Sequence, residues 1–483
     1  MKRFVFAVIA LWAGSLAGCS DDPGGDEPAA DTAVVDAAAD VGADLGSDVD
    51  AGAVDLRDDT SPPDDVATGP DIPPVPDDPN CDPLVGSACS LPWPSNKYLE
   101  ADSERTTGYT LSFGDKTLPV TNSGKTTDPQ PYRRLDGYGV GSSIMVAYEN
   151  LDASSLPNEN AIEESMKPDA DILLYRVDGS TLERVPYWAE IDARAKDGAK
   201  LKMLIVRPAV ILDENTRYVV AFRDLVRKDG STIEPSAAFK RLREGETAQG
   251  SLLAERQSRF DEIFSMLEQE GVGRDSLTVA WDFRTASSDA IHGRMLHMRK
   301  RGFEIVGQDG PDITIDTVER EYVSDDGSGR PTDGETALRI EGTFRVPRFM
   351  KKETISGSTG WTFNLGQDGM PEQNGWKESP FWMIVPHSAI NKAPNASPTG
   401  NGNAHGLVQY GHGLLGTGRQ TITEDANPSI ANKHDFMFFG SSLFGMAKED
   451  QLTAVGAVSD ISKFPFMADR LHQGLVEFIL VTR

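Results

Sequence analysis

The stretch Gly406-Leu407-Val408-Gln409-Tyr410-Gly411-His412-Gly413-Leu414-Leu415-Gly416 decides how the carboxyl-terminal half is read. Leu407 to Tyr410 suffice for a short apolar strand, and Gly411, Gly413 and Gly416 then break the chain into a tight turn. Two similar apolar runs flank it, Phe381 to Val385 and Phe436 to Phe439, and all three read as buried strands of a parallel sheet. Between the last two, Ile422 to Lys433 leaves room for a crossover helix. Near the end, Phe464, Met467, Leu471, Leu475, Phe478 and Ile479 fall on one helical stripe, with Pro465 in the first turn. Strand, loop, helix, strand, helix is the order of an α/β sheet.

Working back from this core, Ile313 to Val318 and Leu338 to Val346 read as a β-hairpin. The acidic loop Ser324-Asp325-Asp326-Gly327-Ser328-Gly329 between them offers oxygen ligands, but it lacks the spacing and the terminal bidentate Glu of a calcium loop, so a turn is expected. A helix is expected over Ser288 to Arg299, capped by Ser287 or Ser288. His292 and His297 lie five apart on it and do not share a face, which disfavours a metal-binding pair.

Residues 81–286 read as a β-rich, sandwich-like unit. Leu277 to Phe283 alternates large apolar with smaller or polar residues, and similar runs occur at Ser143 to Tyr148, Ile172 to Val177, Leu201 to Val206 and Arg217 to Phe222. Turn residues such as Asp178-Gly179-Ser180 separate them. One helical insertion is marked by Phe260, Ile263, Phe264 and Leu267 along a single face.

The amino terminus differs in kind. Lys2 and Arg3 precede the apolar run Phe4 to Trp12, too short to span a bilayer, and Leu16-Ala17-Gly18-Cys19 closes it. Those four residues resemble the lipobox of bacterial lipoproteins; residues 1–19 are therefore expected to be a signal, with Cys19 as the lipid attachment point. The alternative is an ordinary cleaved signal. A lipid anchor makes the membrane a partner and the cell envelope, at the outer membrane or cell surface, the expected location. Residues 20–80 hold 17 Asp and 1 Glu against a single Arg and no aromatic residue, a composition that cannot offset the entropy of ordering. An extended, disordered acidic tether is expected. It carries −17 of the formal charge of −28 and the signal carries +2, which leaves −13 for the remainder. No basic face for nucleic acid is visible.

With Cys19 set aside, Cys81 and Cys89 form an even pair, and an oxidising compartment lets them join as a disulfide that pins the start of the folded region. A metal site is the weaker alternative, since no histidine lies nearby. No cofactor or metal is implied elsewhere.

A strand running into His-Gly-x-x-Gly is how many acyl-transfer hydrolases build half of an oxyanion hole. The residues that carry a wider resemblance are Leu91 to Asn96, Leu277 to Ser287, Tyr410 to Gly416, Phe439 to Asp450 and Asp469 to Gly474. From Cys81 onward the chain resembles the bacterial extracellular lipases and esterases in which a β-rich domain, of the virulence factor lipase amino-terminal type, precedes an α/β-hydrolase domain. The resemblance implies that residues 287–483 are the first part of an α/β-hydrolase-like sheet acting on carboxylic esters or acyl lipids. It implies that the backbone N–H groups of Gly413 and Leu414 face a tetrahedral oxyanion, with His412 shaping the loop.

In such a fold the nucleophile, acid and histidine follow in that order, the nucleophile on a tight Gly-x-Ser-x-Gly elbow. No elbow is found here. Ser441 has Phe439 and Leu443 two residues away, and Ser442 has Phe444, all too large for it. His387, His405 and His434 have no identifiable partner nucleophile. The chain therefore reads as the front portion of such an enzyme, inactive alone and needing a separate or downstream segment, and the cut is expected to leave the Phe436 strand with an unpaired edge. The alternative is a non-catalytic surface-binding lipoprotein that uses its β-rich domain.

Overall fold

The structure is a computed structural model that describes residues 77–121, 123–195, 198–320, 334–389, 406–424 and 426–483. Cys19, the signal, the tether as far as residue 76, the acidic loop 324–329 and His405 lie outside the described residues. The fold is mixed α and β.

The β-rich region begins with the antiparallel pair β1 (Leu99–Ala101) and β2 (Tyr109–Leu111). Two larger sheets are built from β3 (Ile144–Glu149), β4 (Ile172–Asp178), β5 (Thr181–Arg184), β6 (Tyr187–Ile191), β7 (Leu201–Pro208), β8 (Arg217–Arg223) and β9 (Leu277–Arg284). Their orders are β3-β7-β6 and β5-β4-β8-β9, antiparallel throughout. Two helices, α1 (Ala237–Glu244) and α2 (Gln257–Gln269), enter between β8 and β9.

Strand alternation explains how one core serves both sheets. In the β8–β9 pair, Tyr218 stacks on Phe283 with ring centroids 5.4 Å apart and Phe222 meets Trp281 at 5.5 Å, on the face shared with Ile144, Val146, Leu204 and Val206 of the other sheet. The opposite face carries Asp282, which bonds Arg259 of α2. Phe260, Ile263, Phe264 and Leu267, the helical face expected from spacing, are all buried. Cys81 and Cys89 form a disulfide at the edge of this region.

The second region opens with a π-turn at Asp289–Gly293 running into α3 (Arg294–Val306), and Ser287 Oγ accepts the Ala290 N–H at 3.2 Å as a cap. Then come β10 (Asp312–Arg320), β11 (Thr336–Pro347), the hairpin β12 (Met350–Ile355) and β13 (Ser358–Phe363), β14 (Trp376–Pro386) and β15 (Gly406–Tyr410). The chain continues through α4 (Gln420–Thr423), α5 (Ala426–His434), β16 (Phe436–Ser441), α6 (Gln451–Ser459) and α7 (Phe464–Leu480). The five-stranded sheet has the order β10-β11-β14-β16-β15. Helices cover both faces: Met298, Val476 and Leu480 pack with Phe344, Val346 and Phe381, while Ile422 and Ala431 pack with Ile384 and Phe438.

Three expectations are corrected here. The Phe381 run is not parallel to its neighbours: β14 is antiparallel to both β11 and β16, and only β15 and β16 run parallel. A parallel neighbour needs a long crossover, and the pair α4–α5 supplies the one between β15 and β16. The edge is also reassigned, because β16 is flanked on both sides and β15 lies outermost, with Leu407 58% exposed. Finally, α7 buries a different stripe from the apolar one. Phe466, Asp469, Gln473, Val476, Glu477 and Leu480 face inward, and Phe464 and Leu475 face out.

Candidate functional site

The carboxyl ends of β15 and β16 lie side by side, with Tyr410 opposite Gly440 in the parallel register. A Cβ at Gly440 would stand 2.8 Å from Tyr410 O and collide with Thr421 Oγ1, so glycine is what lets β15 and α4 close on this point. In open α/β sheets the crevice outside such strand ends, where strand order changes, is where ligands bind.

Two loops leave these ends and are laced together. Leu415, held in the left-handed region at φ 59°, donates its N–H to Met446 O at 2.6 Å, and Lys448 N–H donates to Gly416 O at 2.8 Å. Gly418 N–H donates to Ser442 Oγ at 3.1 Å. The second loop is itself pinned from behind. Asp450, fully buried, accepts the N–H groups of Gly445 at 2.6 Å and Ala447 at 3.0 Å and pairs with Arg470, whose guanidinium lies 4.0 Å from the Phe444 ring centroid.

His412 is 4% exposed and joins the two loops. Its Nε2 accepts the Leu443 N–H at 2.9 Å, which puts the proton on Nδ1, 2.8 Å from Gly413 O. The network thereby assigns a neutral imidazole with both nitrogens engaged. Such a ring positions backbone and has no nitrogen left for proton transfer. The N–H groups of Gly413 and Leu414, in contrast, donate no hydrogen bond among the described residues, and both residues are exposed.

Ser441 is 1% exposed, its hydroxyl buried without a partner at the end of β16, and Ser442 spends its oxygen on Gly418. Neither has a positive φ. His387 sits half-buried on a short 3-10 turn, and exposed His434 stacks near Phe436 at 6.4 Å. Among the described residues no histidine nitrogen bonds a serine, threonine or cysteine side chain. His292 pairs at the surface with Glu214 at 3.0 Å, and His297 is half-buried on the same helix. Among the described residues no group of three or more His, Cys, Asp or Glu is placed to hold a metal.

The sequence reading missed Asp450 and Arg470 as the scaffold of the second loop. A usable signal was present: an acidic residue at the third position of a short helical turn can reach back to the backbone N–H of the residue before that turn, as Asp450 does to Ala447. Comparison with protein-family models, curated proteins and solved structures finds no match to this chain.

Proposed function

We propose that this chain provides the anion-stabilising part of a carboxylic-ester or acyl-lipid hydrolase, with residues 287–483 forming an α/β-hydrolase-like sheet and residues 81–286 a sandwich-like accessory domain. The observation that carries this reading is the pair of N–H groups at exposed Gly413 and Leu414 that donate no hydrogen bond among the described residues. They stand beyond the end of a parallel strand, on a turn held by His412, Leu415 and the Asp450-pinned loop. A donor aimed at a developing oxyanion contributes roughly 3–4 kcal/mol to the transition state. On this reading the nucleophile is supplied by a separate polypeptide segment, and Cys19 anchors the protein in the cell envelope by a lipid.

That no histidine nitrogen bonds a serine, threonine or cysteine side chain among the described residues leaves a second reading, a non-catalytic surface-binding lipoprotein that uses its β-rich domain. One experiment separates them. The purified chain is given short- and long-acyl p-nitrophenyl esters, a fluorophosphonate probe and, in a separate arm, a phosphonate monoester anion followed by amide NMR. The first reading expects no turnover and no labelling, with amide shifts at Gly413 and Leu414 on adding the anion. Amides that do not respond leave the second reading. Labelling of Ser441 or Ser442 overturns both.

A further inference from the structure

The outer face of the β3–β7 pair presents an apolar surface of its own. Met145 pairs with Ile205 and Ala147 with Met203 on this face, while Val146 and Leu204 point into the main core. The segment from Cys81 to Leu91, closed by its disulfide, folds over part of it, and Leu91 joins Met145, Ala147 and Ile205 in a small buried cluster. Cover stops there. Between this segment, the stretch Lys116 to Val120 and the ends of β3 and β7 remains a cavity of about 580 Å³.

Its size and lining give it a chemical meaning. A cavity this large holds many waters by volume, yet ordered water needs two to four polar partners each. Ser87, Ser90, Thr117 and Thr126 offer such partners along parts of the wall, while Ala88, Leu91, Leu118, Val120, Ala147 and Met203 offer none with their side chains and make up its apolar stretch. The volume falls in the range of small-molecule sites, roughly 300–1,000 Å³, which are likewise mostly apolar. Charged lining residues cancel, Lys116 and Lys202 against Asp115 and Asp192, so no net charge selects a head group. Leu201, 43% exposed, extends the apolar wall toward solvent.

We propose that this cavity binds a single hydrocarbon chain, taken up by its apolar length and not by the charge of its head. The site is separate from the loops after β15 and β16, and the proposal stands whether or not those loops serve ester chemistry.

The test uses the full chain and the uncharged fluorophore N-phenylnaphthylamine, competed with dodecanol, laurate and dodecyltrimethylammonium below their micelle concentrations. Saturable one-to-one binding is expected, displaced by all three within about threefold of one another, because the buried methylenes are the same in each. Ala147→Leu fills the floor of the cavity, and Val120→Glu places a carboxylate in its wall from a loop, away from the sheet. Each is expected to weaken binding by about tenfold or more, with an unchanged far-ultraviolet spectrum. Absence of saturable binding, binding that persists unchanged in both variants, or a competition order set by head-group charge would each overturn the proposal.

Discussion

Strands β4, β8 and β9 bury most of their side chains, whereas β10, of similar length, exposes nearly all of its own, including Ile313 and Ile315. The contrast extends to the regions around them. Residues 81–286 hold one large core, in which Trp281, Tyr218, Phe222, Phe239, Phe260 and Phe264 are fully buried, with a single small cluster beside it. Residues 287–483 divide their apolar burial among smaller clusters and leave Leu407, Leu414, Leu452, Val455 and Leu475 exposed. What holds the second region in place is a polar ladder on α7. Asp469 accepts from Arg134 at 2.8 Å and from Phe363 N–H at 3.1 Å, Gln473 bonds Phe349 N–H and Pro347 O, and Glu477 takes Lys377 and Ser379 at 2.6 Å each. An apolar core adds stability with every methylene, while a buried polar set gives geometry at small net gain. The first region is therefore expected to be the stable one and the second the better specified but weaker one.

The largest expected effect is in the first region. Phe264→Ala removes a ring that meets Phe239 and Phe260 at 5.9 and 6.0 Å, and a cost of ~3–5 kcal/mol is expected in the later of two denaturant transitions. A single transition for both regions, or a loss below about 1 kcal/mol, would break the comparison. Next is Asp282→Asn. Burial raises the Asp282 pKa, but Arg259 and Arg217 more than offset this, so its carboxyl titrates below the usual carboxylate range. The stabilisation it contributes is present at neutral pH, above its unfolded-state pKa, and is lost as pH falls through the depressed folded-state value. The variant is expected to lose roughly 3 kcal/mol at neutral pH and to show a flatter acid limb; an acid limb like that of the parent chain would count against this.

Asp469→Asn comes third, at about 2 kcal/mol, felt in the second region and read most directly as faster hydrogen exchange at the Phe363 amide. Unchanged exchange there would remove the ladder's assigned role. The smallest effect is Leu452→Lys on α6, where the native side chain is 85% exposed. Stability is expected to stay within about 0.5 kcal/mol, while self-association, followed by light scattering, falls.

The same division governs what the sequence discloses. The strands at 172–178, 217–223 and 277–284 were readable because alternation and β-branched or aromatic content report local burial. The α2 face was readable for the same reason. On α7 the reading failed, because the pattern Phe464, Met467, Leu471, Leu475 is a good local stripe and the true buried face is fixed by partners far along the chain. Gln473 lies 126 residues from Pro347, and Asp469 lies 335 from Arg134. Periodicity has no access to such pairings. At the loops after β15 and β16 the glycines and His412 were visible, but not that His412 is closed on both nitrogens. That depends on Leu443, 31 residues onward.

The reach of the α7 ladder also sets an order of events during synthesis. Arg134 leaves the ribosome 335 residues ahead of Asp469, and at roughly 5–20 residues per second this is a wait of about 20–70 seconds. Local pairings in the first region complete in a small part of that interval. The second region meets its last helix only when translation has reached α7, so until then Arg134 and the backbone around Phe349 and Phe363 are solvated. Timing of chain emergence thus decides which half of the protein is first exposed to chaperones and proteases in an unfinished state.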